Sequence, residues 1–213
     1  MPNKLKPLER RQYNFEVRAE ETESGNIIVG RPIVYDTKTD LGYCAEVIVR
    51  GALANTDLTD VRFLVNHDIS KIPLARSRKN TKNSTMQLSI DDDGMSIRVL
   101  LDTENNSEAR ALYSAVQRGD ITGMSFMFGI ETERWEDLDS DYPTRFIESI
   151  STVVEVSAVT FPAYEATEIN ARGKEALENA RQAVETARQK RETSVETDEK
   201  QLELEKLKNK NIF

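Results

Sequence analysis

The chain has 213 residues, 38% of them hydrophobic, with 29 Lys and Arg against 37 Asp and Glu for a formal net charge of -8. That balance fits one globular domain with a sizeable core plus a solvated appendage, and it excludes non-specific nucleic-acid binding, which needs basic surface. The lone cysteine, Cys44, excludes an internal disulfide, and no apolar run approaches the length of a membrane span.

Residues 1–12 are polar and expected to be loose; they are basic but lack the apolar stretch of a secretory signal, so the chain reads as soluble and intracellular. Short strand signals dominate from Tyr13 to about Ala163. Phe15–Ala19, Asn26–Val34 and Ala45–Val49 read as strands separated by Gly, Asp and Thr turns. Asp60–Asn66 alternates Val61, Phe63 and Val65 with Arg62, Leu64 and Asn66. Met86–Ile90 and Met95–Leu101 flank Asp91-Asp92-Asp93-Gly94, a hairpin turn. One helix interrupts the pattern, capped by Asn106 or Ser107, with Leu112, Ala115 and Val116 on its apolar face and Gly119 as its stop. Strands resume at Ile121–Thr132, Thr144–Ile150 and Thr152–Phe161. The composition then turns charged and Ala-rich. Residues 168–213 read as a partly helical, solvated tail; its thin stripe of Ala176, Leu177, Ala180, Ala183, Val184 and Ala187 is too weak for a core, and the alternative is an oligomerisation or scaffold-docking helix.

Three residues stand out chemically. His67 is the only histidine, so any imidazole base must be His67, and three or four clustered zinc ligands cannot be assembled around it. No metal and no cofactor are expected. Ser125 lies in Gly123-Met124-Ser125-Phe126-Met127-Phe128-Gly129. In a strand Met124, Phe126 and Phe128 bury on one face, and Ser125 faces a groove on the other. By itself a strand serine is ordinary, and the segment is not a Gly-x-Ser-x-Gly elbow. Glu155 sits inside Thr152-Val153-Val154-Glu155-Val156-Ser157-Ala158-Val159, which is apolar on both faces. A carboxylate there costs several kcal/mol unless it is paired, either with an arginine or with the Nδ1–H of a histidine. Asp68 adjoins His67 and points to the opposite face. Cys44 has no neighbour that would activate it and reads as core.

Several segments in order resemble the prohead serine proteases of tailed phages, whose fold is like that of the herpesvirus assemblin proteases. They are Gly30-Arg31-Pro32-Ile33-Val34-Tyr35-Asp36, Glu46-Val47-Ile48-Val49-Arg50-Gly51-Ala52-Leu53, Leu64-Val65-Asn66-His67-Asp68, Pro73-Leu74-Ala75-Arg76, Arg118–Phe128 around Ser125, and Glu155–Ala163. Leu53 departs mildly from the family's usual Phe. The resemblance covers roughly residues 13–165. It implies an α+β, mainly β fold, a compact β-barrel with flanking helices over residues 13–167; the charged tail beyond is read from composition and not from the resemblance. It implies Ser125 as nucleophile and His67 as base; Glu155 as third member rests on the burial argument. The oxyanion donors are left between backbone N–H groups and Arg76.

The resemblance further implies a serine endopeptidase acting in the host cytoplasm inside the assembling prohead. Its partners are the phage scaffolding protein, the major capsid protein with its scaffold-like N-terminal region, and itself, with neither nucleic acid nor membrane. Residues 164–200 are the expected self-cleavage zone. The rival reading is a non-catalytic scaffold or capsid-interaction protein; a metal-dependent hydrolase is disfavoured by the single histidine.

Overall fold

The computed structural model describes residues 8–13, 17–23, 25–160 and 171–210. In chain order these are β1 (Leu8–Tyr13), β2 (Val17–Thr22), β3 (Gly25–Val34), β4 (Thr39–Asp40), β5 (Ala45–Ile48), β6 (Asp60–Val65), β7 (Ala75–Arg78), β8 (Met86–Asp91) and β9 (Gly94–Leu101). Helix α1 (Ser107–Arg118), strands β10 (Gly123–Glu136) and β11 (Thr144–Val159), and helix α2 (Ala171–Lys210) complete the set.

The strands form a 7-stranded sheet and a 4-stranded sheet. The small sheet runs β2-β3-β9-β8. The large one runs β1-β10-β11-β5-β4, with β6 and β7 attached to β11. The two sheets enclose one core in which Ile28, Ile33 and Val99 of the small sheet meet Val61, Phe63, Phe126, Phe128 and Val156 of the large one. Helix α1 lies against β2 and β3 and adds Ala109, Leu112 and Val116 to that core. Asn106 is its cap, accepting from the backbone N–H groups of Glu108 and Ala109, and Gly119 ends it in the left-handed conformation.

The closed barrel expected from the resemblance is not formed among the described residues. No ladder joins β7 to β8; at that seam Arg76 N donates to the Thr85 side chain instead. The two strands expected at 144–150 and 152–161 are one strand, β11. Its first half pairs in parallel with β5 and its second half with β6, while β10 follows it antiparallel through several bulges.

Two other expectations change. Residues 8–12, expected to be loose, belong to β1, which pairs antiparallel with β10. A buried ion cluster anchors it: Arg11 binds Glu46 and Glu9, and Arg145 binds Glu9, Glu46 and Glu133. Burial pushes the Glu9 carboxyl up, but Arg11 and Arg145 outweigh it and hold it down at about 2. Stability from a depressed carboxylate is fully present above its ordinary value of 4.5 and is lost as pH falls toward 2. Hydrogen exchange, corrected for intrinsic rates, should therefore show β1 losing protection across that window.

The tail is a continuous helix, and part of it docks. Ala180 and Val184 are buried with Cys44 against Leu41 and Trp135. Arg188 donates to the carbonyls of Leu138 and Ser140, and Arg191 pairs with Asp139. The thin Ala stripe packs because Leu41 and Trp135 cover Ala180 and Val184 and the two arginines fasten the helix to Leu138, Asp139 and Ser140. Residues 164–170 of the expected self-cleavage zone lie outside the described residues.

The β8–β9 turn brings backbone close against backbone at Gly94. Gly94 has φ +138°, and a Cβ there would lie 2.0 Å from the Ile33 carbonyl oxygen. Gly94→Ala is expected to cost about 3 kcal/mol in denaturant unfolding, since both the backbone angle and the ladder to β3 oppose it.

Candidate active site

Strand β11 is the frame. Ser157 stands opposite Ser125 of β10, and Glu155 opposite Met127. Directly opposed residues share a face of a sheet, so Ser125, Ser157 and Glu155 lie together on the side away from the Phe126–Phe128 core. On the other flank of β11, β6 pairs Arg62 with Glu155 and Leu64 with Ser157.

Just beyond the end of β6 come Asn66 and His67, with φ of 54° and 59°. Two successive non-glycine residues in the left-handed region are costly and persist only where surrounding bonds hold them. Here β11 and Thr160 beyond it supply those bonds. Asn66 N donates to the Ala158 carbonyl at 2.9 Å, and its side chain binds Thr160 N at 3.0 Å and Thr160 Oγ1 at 2.9 Å. His67 N donates to Ser157 Oγ at 3.1 Å. The turn brings the imidazole over Glu155, and His67 Nδ1 makes a short hydrogen bond to Glu155 Oε1.

Both members of that pair are buried, Glu155 to 1% exposure and His67 to 8%. The carboxylate's second oxygen accepts from the Ser157 hydroxyl at 2.6 Å. Each oxygen therefore has one donor, which offsets the desolvation of the charge. With the proton on Nδ1, Nε2 presents its lone pair. Nε2 is buried and hydrogen-bonded to no described residue. An unsatisfied buried nitrogen is rare in folded proteins and marks a position where a proton can be received.

Ser125 was expected to face a groove. It has 0% exposure, because β1 lies along the outer edge of β10, and its hydroxyl donates to the Arg11 carbonyl at 2.6 Å. The structure thus joins His67 to Glu155 and sets Ser125 on the same face, one strand away, with its hydroxyl engaged elsewhere. Arg76 is not joined to this group. Its partner across the β6–β7 ladder is Arg62, and its guanidinium grips Asp60 through bonds of 2.5 and 2.6 Å. Asp68 accepts from the N–H and hydroxyl of Ser70 and shapes the loop after His67. Cys44 is buried, and burial, reinforced by Glu46, pushes its thiol up to about 11, which disables it as a nucleophile.

The described residues contain no group of His, Cys, Asp and Glu able to hold a metal, and no helix among them is long and apolar enough to cross a membrane. Sequence reasoning missed Ser157. The signal was there: two residues after Glu155 on one strand, it must share its face.

Residues 13–182 match the model of a family described as caudovirus prohead serine protease. Among solved structures, the chain is similar to the capsid assembly protease gp21 of bacteriophage T4. The identity is 15% over 71% of this chain and 98% of that one, with a TM-score of 0.36. No protein of curated function matches the chain.

Proposed function

This chain belongs to the caudovirus prohead serine protease family, and on that premise we propose that it is an endopeptidase with Ser125 as nucleophile, His67 as general base and Glu155 as the carboxylate that orients it. The observation that carries the reading is the buried Glu155–His67 bond, which leaves Nε2 without a partner among the described residues, with Glu155 on the face of the sheet that Ser125 occupies.

The reaction follows from these atoms. The Ser125 hydroxyl turns from the Arg11 carbonyl to Nε2 and gives up its proton as Oγ bonds to a peptide carbonyl carbon. Glu155 stabilises the imidazolium through Nδ1–H. The imidazolium then protonates the leaving amine; a water molecule, deprotonated in its turn by Nε2, attacks the acyl carbon, and the imidazolium returns that proton to Ser125 Oγ as the acyl group leaves. For Arg76 to serve the oxyanion it must leave Asp60, so backbone N–H groups are the better donors. Ile69 and Ile72, exposed on the loop after His67, offer apolar surface to a bound peptide. The substrates in this reading are the scaffolding protein, the scaffold-like region of the major capsid protein and the chain itself, inside the assembling prohead.

One observation favours the rival, a non-catalytic capsid-interaction protein: the Ser125 hydroxyl is bound to Arg11 and not to His67. Diisopropyl fluorophosphate separates the two. The expected result is one phosphoryl group per chain, mapped to Ser125 by peptide mass spectrometry and slowed strongly by His67→Ala. No modification after prolonged incubation, or modification at another residue, favours the rival.

A further inference from the structure

We propose that Ser157 is a positioning residue that aligns the His67–Glu155 pair; this rests on the reading of that pair given above. Ser157 is fully buried, and its single oxygen touches both members. It donates to Glu155 Oε2 at 2.6 Å and accepts from His67 N at 3.1 Å. The directions are fixed. A backbone N–H can only donate and an ionised carboxylate can only accept, so the hydroxyl proton must point at Glu155.

Two consequences follow. With Oε2 engaged, the carboxylate cannot rotate away, and Oε1 is held where Nδ1–H reaches it. With the His67 N–H engaged, the left-handed Asn66–His67 turn is tied to the strand that carries Glu155. One hydroxyl thereby sets the carboxylate and the imidazole backbone in a common frame, directly across the ladder from Ser125. Other bonds support the turn at Ala158 and Thr160, and these do not reach the carboxylate. Among the described residues, Ser157 is the side chain bonded both to the backbone of the turn and to the Glu155 carboxylate.

His67 is the only histidine, so its imidazole resonances are assigned without ambiguity. In Ser157→Ala the Nδ1–H resonance is expected to move upfield and exchange faster with water. Phosphorylation of Ser125 by diisopropyl fluorophosphate should slow by about ten- to a hundredfold at saturation, with the half-saturating concentration unchanged. Ser157→Cys keeps the volume but is a weak hydrogen-bonder and should behave as Ser157→Ala does. Ser157→Thr, which keeps the hydroxyl, should restore both readouts toward wild type.

An imidazole resonance that stays in place in both the Ala and Cys variants overturns the proposal, even if stability falls, because Ser157 is then packing only. The resonance is read without any reaction at Ser125. Loss of the wild-type labelling result would therefore sink the catalytic reading and leave the Ser157 coupling decided on its own.

Discussion

Ser125→Ala is expected, on the proposed assignment, to lower kcat for cleavage of the proposed substrate, the phage scaffolding protein, by about 10⁶-fold, with the fold retained. Removing the proposed nucleophile would force water to attack directly, and His67 would lack the hydroxyl from which the proposed mechanism has it take a proton. The structural cost is small. Among the described residues Ser125 Oγ makes one hydrogen bond, to the Arg11 carbonyl, and losing it costs on the order of 1 kcal/mol. Met124, Phe126 and Phe128 stay in the core on the opposite face, so β10 keeps its register with β11. The measurement is a cleavage assay on purified scaffolding protein, paired with the imidazole spectrum of His67 as a check on site integrity. A variant that still cuts at more than about a thousandth of the wild-type rate would assign the nucleophile elsewhere.

Much of this site could be read before any coordinates. Alternation along Met124–Phe128 put the bulky side chains on one face and Ser125 on the other, and it does so in β10. Glu155 was visible as a carboxylate inside an apolar strand, a position physics forbids without a partner. The same argument applied to Glu46, inside Ala45–Ile48, would have announced a second buried partner, which is the Arg11–Arg145 cluster. What could not be read is what depends on distant chain. Leu8-Glu9-Arg10-Arg11 has no strand pattern; it becomes β1 because β10 offers an open edge and Glu46 offers Arg11 a charge. The closed barrel came from resemblance alone, and sheet closure depends on a seam that no local pattern encodes. The left-handed turn at Asn66–His67 is equally silent in sequence. Neither residue is glycine, and the bonds that hold it come from residues about 90 positions away.

Glu155→Gln is expected to lower kcat by about 10³- to 10⁴-fold with little change in KM. The substitution keeps the shape, so its effect turns on which amide atom meets His67. Ser157 decides this. Its hydroxyl proton is directed at Oε2, which can only accept, while one of its two lone pairs receives the His67 N–H. An oxygen at that position keeps the bond, whereas an NH2 there would have to be accepted on the second lone pair and would turn the buried hydroxyl proton away from its acceptor. The amide oxygen therefore takes the Ser157 side, and the NH2 group faces Nδ1. Nδ1 must then accept, the proton moves to Nε2, and the atom that should receive the Ser125 proton already carries one. The imidazolium also loses its counter-charge in a buried site. The proton's relocation is visible in the nitrogen shifts of the single imidazole, so tautomer and rate can be compared in one sample. Replacing Ser157 by Ala in the Glu155→Gln background removes the bias that orients the amide. The double variant should then be no slower than Glu155→Gln alone, a non-additivity that independent losses would not give. Two independent losses would multiply, and a double variant slower by the full product would mean that Ser157 does not direct the carboxamide.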